Sequence, residues 1–383
     1  MMIAPHPDDE SLAAGLLIQQ AIAAGASVRV IYATDGDNNP WPQRLLERRW
    51  RLTDEDRARW GKRRRKEAIA ALSALGLSGS DARFLGLPDQ GLTALLLEDA
   101  ANPVARIRQM IVDWSPTHLL VPSILDAHPD HSALAILAQF AVADLPTRLT
   151  RESMFCCVVH GDHKEGPFQI VVAPSNALET SIKAQAIAQH HTQVKLSRRR
   201  FMAYARRTEG FHLIDQAQGV AMGSIRSSRR TSTELALQVP SRLLTAQEGL
   251  VYLSGYGHDG LPVSACRRLS ESNLGARNQG RTFRRVALPS PRPGSGMAEL
   301  IFPTTEFDPN RSLFAKVRQG RWFFDHGWIE LPSLPPAKIA GPRPSGLTAA
   351  PPPAREEVTA LTQVSPAGFN FTPPASGALE ERK

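Results

Sequence analysis

The sequence predicts an α/β protein: a mostly parallel sheet with helices on both faces, then a small antiparallel β region and a disordered Pro-rich tail. Three observations predict it. Strand-like and helix-like apolar runs alternate from Met2 to Arg206, the pattern of a parallel sheet wrapped by helices. Beyond Gly223 the texture changes to short strand-like runs separated by Gly, Pro and Asn. From Pro332 the chain is rich in Pro, Ala, Gly and Ser and holds little to bury. The expected divisions are residues 1–223, 224–331 and 332–383.

Taken in order, Met2, Ile3 and Ala4 read as the end of a strand, and residues 10–24 as a helix with apolar Leu12, Leu16, Leu17 and Ile22. Only Met1 to Pro5 precede the first polar motif, less than the five to six residues of an ordinary strand. The expectation is a start further upstream or a short first strand. Residues 27–33 form a second strand after Gly25, ending in Thr34-Asp35-Gly36-Asp37. Residues 38–53 read as a polar loop containing Trp and Arg, and residues 54–75 as a helix closed by Gly76. A short strand at 83–85 leads to a turn at 86–91. Val104, Ile107, Ile111 and Trp114 share one helical face, and residues 118–121 are the next strand. Helix 132–143, strands 154–159 and 168–173, and helices 179–190 and 196–206 complete this part. The β region is expected to hold strands at 234–239, 250–256, 281–288, 297–302, 313–317 and 321–331.

Composition narrows the class. With 383 residues there is room for two domains, or one domain and an extension. A 42% apolar and 21% charged chain is an ordinary globular one. Net charge is +8 and the isoelectric point about 9.7, with arginine-rich patches at 63–66, 198–200 and 229–230. Such patches suit nucleic acid or an anionic substrate. No nucleic-acid motif accompanies them and aromatics are only 6%, so a solvated basic face is expected and a nucleic-acid partner is not. Cys156, Cys157 and Cys266 contain no C-x-x-C pair, which excludes a thiolate zinc site. No signal peptide precedes the first motif, and no apolar run approaches the roughly 18 residues of a transmembrane helix. A cytoplasmic location without a membrane span is the default expectation.

The chemistry lies in two clusters. His6-Pro7-Asp8-Asp9-Glu10 sits where the first strand turns into a helix, the end of an open α/β sheet at which ligands bind. Alone, it reads equally as a turn whose Asp8 or Asp9 caps the helix and complements its dipole. A second cluster, His128-Pro129-Asp130-His131, follows the strand at 118–121 and precedes another helix. Two strand-end clusters sharing a His-Pro-Asp core are hard to dismiss as two caps. Catalytic zinc takes three protein ligands plus water, and His6, Asp9 and His131 fill that set. Asp8, beside a ligand but poorly placed to chelate with it, is left as a base. His128 is placed to meet an oxyanion, and Asp130 to fix the tautomer of a ligand histidine. The pair His190-His191 is read as structural, or as a partner of the helix dipole.

These residues carry a resemblance. The two motifs, with Thr34-Asp35-Gly36, Arg64-x-x-Glu67, Leu87-Pro88-Asp89, Thr192-Gln193 and Glu209-x-Phe211, resemble the LmbE-like (PIG-L) family of zinc-dependent N-deacetylases over roughly residues 1–215. The resemblance implies a Rossmann-like domain, Zn2+ on His6, Asp9 and His131, Asp8 as general base, and His128 on the oxyanion or leaving amine. It implies that Asp130 orients or tunes a histidine and that Arg64 and Asp89 contact the substrate sugar. The partner it implies is a small N-acetylglucosamine-type conjugate. Where the family often shows a Gly-Cys-Gly-Gly-like stretch, this chain reads Ala13-Ala14-Gly15-Leu16. The arginine-rich loop and the β region are the parts expected to choose the substrate, the latter as a carbohydrate-binding module, a homo-oligomer interface or a lid. Other readings are a non-catalytic metal-stabilised binding module and an amidase acting on a different amide. Iron in place of zinc also suits imidazole ligands.

Overall fold

Strands that alternate their side chains between two apolar layers bury both faces, and the first sheet is built this way. The computed structural model describes residues 1–143, 145, 149–161, 171–173, 175–206, 208–217, 224–241, 243, 249–268, 284–288, 296–318, 324–331 and 333–334. Apart from Ser333 and Leu334, the expected tail lies outside the described residues.

Strands β1 (Met2–Ala4), β2 (Val30–Thr34), β3 (Ala82–Leu87), β4 (Leu119–Pro122), β5 (Met154–Cys157), β6 (Val171–Ala173) and β7 (Glu209–Leu213) form one sheet in the order β3-β2-β1-β4-β5-β7-β6. The pairs among β1 to β5 are parallel, with Ile3 opposite Ile31 and Met2 opposite Leu120. The pairs of β7 with β5 and β6 are antiparallel. The expected mostly parallel sheet is present, with a reversed edge.

Helices α1 (Asp9–Ala23), α3 (Asp54–Ala74) and α7 (Ala177–Gln189) cover one face. Their Leu16, Ile18, Ala68, Leu72 and Ala186 pack on Met2, Ala4, Val30, Tyr32 and Leu120. Helices α4 (Leu92–Glu98), α5 (Ala101–Trp114) and α6 (Pro129–Val142) cover the other, packing on Ile3, Ile31, Ala33, Leu119 and Val121.

Helix α4 and the strands at 227–230 and 262–268 lie on stretches the sequence reading leaves unassigned, the strand expected at 321–331 is confined to 329–331 among the described residues, and two further elements correct the reading. The expected loop 38–53 contains helix α2 (Pro40–Glu47), which starts with a proline in its first turn and ends at Arg48 in the left-handed region. Its buried residue is Gln43, whose Nε2 donates to the Asp56 carbonyl at 2.7 Å. A helix held by a buried amide shows no apolar period. Strand β7 escaped as well, because its first residue, Glu209, is a buried carboxylate paired with Lys183 at 2.6 Å. Glu209 also accepts the N–H groups of Leu16 (2.8 Å) and Leu17 (3.0 Å), just beyond the non-helical Ala14 that kinks α1. Helix α8 (His191–Ala205) follows α7 and is itself kinked at Ser197.

Strands β8 (Ser227–Arg230), β9 (Glu234–Pro240), β12 (Arg284–Leu288) and β13 (Met297–Pro303) make one four-stranded antiparallel sheet, in the order β12-β13-β9-β8. Strands β10 (Leu250–Tyr256), β11 (Pro262–Arg268), β14 (Leu313–Arg318) and β15 (Ile329–Leu331) make the other, in the order β11-β10-β14-β15. Between them Leu235, Leu237, Val251, Leu253, Leu300 and Leu313 share a core. The alternate residues of β10 and β14 face the α/β domain: Tyr256 and Phe314 stand 4.7 and 5.8 Å from the ring of Phe140 on α6. The middle sheet is therefore buried on both sides.

Candidate metal centre

From β1 the chain builds outward to β2 and β3, then returns to lay β4 on the other side of β1. The carboxyl ends of β1 and β4 therefore flank the switch point of the sheet, where a crevice opens. His6 to Asp9 leave the first of these ends and His128 to His131 the second, so topology brings together residues more than a hundred positions apart.

Asp9 Oδ2 stands 3.3 Å from His6 Nδ1 and 3.3 Å from His131 Nε2. Donors at 2.0–2.2 Å from one tetrahedral ion stand about 3.4 Å apart, so each of these two pairs has the spacing that ligands of a shared ion require. His131 Nε2 is buried without a hydrogen-bond partner. The far side of each ring is held by carboxylate. His6 Nε2 lies 3.2 Å from Asp89 Oδ1 and 3.3 Å from Asp130 Oδ2, while His131 Nδ1 lies 3.2 Å from Asp126 Oδ2. Each imidazole thus has one nitrogen fixed by a carboxylate and the other turned to Asp9, the arrangement that orients metal-ligating histidines. Burial opposes protonation of His131, yet Asp9 and Asp126 raise its pKa to about 10. Five carboxylates (Asp8, Asp9, Asp89, Asp126 and Asp130) are buried around these rings. That concentration of negative charge, with an orphaned ring nitrogen among it, fits a divalent cation.

Asp8 is set apart from the candidate ligands by its backbone. It sits at φ 156°, ψ −24°, outside the regions open to most side chains, a strain of order 1–3 kcal/mol of the kind that collects at functional sites. Burial pushes its carboxyl up to about 6, opposed by the Arg64 guanidinium and reinforced by Asp9. His128 caps α6, its Nδ1 accepting the Asp130 N–H at 3.2 Å. In the neutral ring the proton is then on Nε2. Burial, then the neighbouring His131, His6 and His160, hold its pKa well below the ordinary value.

A family profile described as PIG-L: GlcNAc-PI de-N-acetylase matches residues 1–142. Those residues are a PIG-L (LmbE-like) family domain. The chain is similar to a 1D-myo-inositol 2-acetamido-2-deoxy-alpha-D-glucopyranoside deacetylase of Mycolicibacterium smegmatis, 29% identical over 159 residues, covering 38% of this chain and 53% of that protein. With the same deacetylase of Mycobacterium avium it shares 32% identity over 145 residues, covering 34% of this chain and 47% of that protein. It spans about half the length of the curated relatives it matches. Among solved structures, N,N'-diacetylchitobiose deacetylase from Pyrococcus horikoshii, complexed with its inhibitor MPG, is 21% identical with a TM-score of 0.42, covering 55% of this chain and 82% of that one.

Within the PIG-L domain the two residues expected to contact sugar are turned inward. Arg64 is buried, and its guanidinium donates to the Gly36 carbonyl (2.9 Å), the Pro7 carbonyl (2.7 Å) and Asp8 Oδ2 (3.0 Å). Gly36, at φ +63°, leaves it room: a Cβ there would stand 1.9 Å from Arg64 Nη1. Asp89 joins His6 on one oxygen and accepts the Asn38 N–H at 2.7 Å on the other. Asp130 also accepts the N–H groups of Gln90 (2.7 Å) and Leu92 (3.1 Å), tying α4 to the site.

The supporting motifs brace the domain from behind. Thr192 Oγ1 donates to Glu67 at 2.6 Å, and His190 Nε2 pairs with Glu10 at 2.9 Å. His190 is buried there, so its role is a side-chain contact. Three residues of the site were absent from the sequence reading. Asp126 lies two positions before His128, just outside the second motif. His160 follows β5 at a third strand end, its ring 5.0 Å from that of His131. Phe324 comes from the β region, 5.8 Å from the ring of His128. Strand-end position could have found His160; no local signal marks Phe324. Among the described residues, no helix is long and apolar enough to cross a membrane.

Proposed function

We propose that the PIG-L domain is a zinc-dependent N-deacetylase that hydrolyses the acetamide of an N-acetylglucosamine-type conjugate and releases acetate. The observation that supports this most is a buried carboxylate, Asp8, that stands beside the three candidate ligands without being one of them. A structural metal has no use for it.

His6, Asp9 and His131 would hold the zinc, with Asp89, Asp126 and Asp130 fixing the ring orientations. When bound, the zinc supplies Lewis acidity to the amide carbonyl and to the attacking water. Asp8 takes the proton of that water, with Arg64 stabilising its charged form and holding it in place. His128 donates a hydrogen bond from Nε2 to the oxyanion that develops at the carbonyl, and the proton that Asp8 has taken goes on to the departing amine. The amino sugar as leaving group rests on the deacetylases that this domain resembles.

The test is acetate release from a panel of N-acetylglucosamine conjugates by zinc-loaded and chelated protein, beside the Asp8→Asn variant. An enzyme loses release with the metal, and D8N keeps the metal while turnover falls about 10²–10⁴-fold. A metal-stabilised binding module is indifferent to D8N. No release from any conjugate by the zinc-loaded protein would remove the sugar reading and leave another amide as substrate.

A further inference from the structure

The segment 324–328 belongs to the β region, yet it runs along the loop that carries the metal centre. Asp325 N donates to the Ala127 carbonyl at 2.8 Å and Trp328 N to the Ile124 carbonyl at 2.7 Å. It is thereby paired with the stretch that delivers Asp126 and His128. Gly327, at φ +72°, permits the approach: a Cβ there would lie 2.3 Å from the Ile124 carbonyl oxygen. Trp328 is fully buried in the core beneath β10, and Asp325 pairs with the buried Lys316 of β14. This strap is anchored at both its backbone and its side chains.

At its head stands Phe324. The ring lies 5.8 Å from that of His128 and 5.4 Å from that of His160, and the residue is nonetheless 46% exposed. The side chains described around the metal position are imidazoles and carboxylates, and Phe324 sets a flat apolar surface beside them. A pocket that fixes a polar ligand with a few directed groups commonly orients the rest of it on such a surface.

We propose that Phe324 is a substrate-binding residue: the platform, supplied by the β region, on which the C–H face of the acylated sugar ring lies while its amide is at the metal. The proposal rests on the deacetylase reading for the identity of the ligand. It assigns the β region part of the active site, so that specificity is shared between the PIG-L domain and its extension. Contact with a ring face is made equally in the ground and transition states, so the residue acts on binding rather than on the chemical step.

The experiment uses the full chain, zinc-loaded, with methyl N-acetylglucosaminide as probe. Binding is measured by calorimetry in the D8N background, and acetate release with Asp8 present, for Phe324, F324A, F324L and F324Y. Expected is a Kd raised roughly five- to tenfold in F324A, a smaller rise in F324L, and recovery in F324Y. KM follows the same order while kcat and zinc content stay unchanged. Should F324A not fold, F324L against F324Y carries the comparison. Equal Kd and KM across the four overturn the platform and leave the deacetylase reading standing if acetate is released. Binding that depends on Phe324 without acetate release from any conjugate removes the deacetylase reading and keeps the platform. Absence of sugar binding overturns the platform.

Discussion

Asp126 Oδ2 stands 3.2 Å from His131 Nδ1, and the same carboxylate accepts the backbone N–H groups of Val159 (2.7 Å), His160 (3.1 Å) and, on its other oxygen, His128 (2.9 Å). One buried side chain therefore ties the exit of β4 to the exit of β5 and decides which nitrogen His131 turns toward Asp9. Asp126→Asn keeps the shape but removes the charge, and it turns an amide N–H2 toward groups that are themselves donors. Metal affinity is expected to fall about 10–100-fold, the usual cost of losing such a partner. Competition against a chromophoric chelator measures it, with far-ultraviolet circular dichroism reporting the fold. Unchanged affinity would make Asp126 a loop staple and nothing more.

Gly36 and Arg64 form one unit with Asp8. Gly36→Ala places a methyl group where Arg64 Nη1 now lies, at a backbone φ of +63° that alanine resists. The guanidinium must leave, taking its bond to Asp8 with it. The expected result is a loss of about 1–3 kcal/mol in urea unfolding together with at least a tenfold fall in kcat, while the metal stays bound. Arg64→Lys keeps the charge but cannot span two carbonyls and a carboxylate, and is expected to fall between the two. A G36A protein with wild-type kcat would show that Asp8 does not depend on Arg64.

How far the sequence foretold this site follows from where its parts lie. His6, Asp8, Asp9, His128, Asp130 and His131 occupy two short strand-end motifs, so a local reading finds them. Strand alternation puts each motif at a strand's carboxyl end, but that β1 and β4 are neighbours is seen only in the sheet order. Asp126 is equally local, but its role depends on the N–H groups of Val159 and His160, which no spacing announces. Arg64 is a sugar contact only as the family resemblance implies it, and the packing over Gly36 shows it facing Asp8 instead. Phe324 lies nearly two hundred positions from His131 and arrives through the docking of a second layer. Strand β8, mostly exposed along Ser227–Arg230, and helix α2, held by Gln43, lack the apolar period on which sequence reading depends.

Asp56 gives the fold a pH signature remote from the metal. It is the third residue of α3, and accepts the Thr53 N–H while Thr53 Oγ1 accepts the Asp56 N–H, a capping box. The Thr53 N–H first, then Arg59 and Arg49, hold its carboxyl down at about 2. The unfolded chain, with an ordinary aspartate near 3.9, binds the proton more readily, so this contribution is present in full above that value. It is lost as pH falls from about 4 to about 2. Asp56→Asn removes the charge at every pH. The melting temperature of the native chain should therefore exceed that of D56N at pH 5–7, and the gap should close as pH drops through that window. A gap that stays constant down to pH 2 would place the effect in side-chain shape rather than in the carboxylate.

Gly327→Ala tests whether the β region and the α/β domain unfold as one. The added methyl meets the Ile124 carbonyl at 2.3 Å, backbone against backbone, where no side-chain rotation relieves it. Overpacking of this kind costs typically about 1–3 kcal/mol. The strap is the direct pairing between residues 324–328 and the metal loop, and Tyr256, Phe314 and Trp328 share the core of Phe140. Strain at Gly327 is therefore expected to reach both parts: a single urea transition displaced to lower denaturant, with the same midpoint by tryptophan fluorescence and by far-ultraviolet circular dichroism. Metal affinity should fall with it, since Ile124 and Ala127 flank Asp126. Two separated transitions, with only the first displaced and the metal held as before, would mean that the β region docks on an already stable PIG-L domain and that the strap follows the metal loop without supporting it.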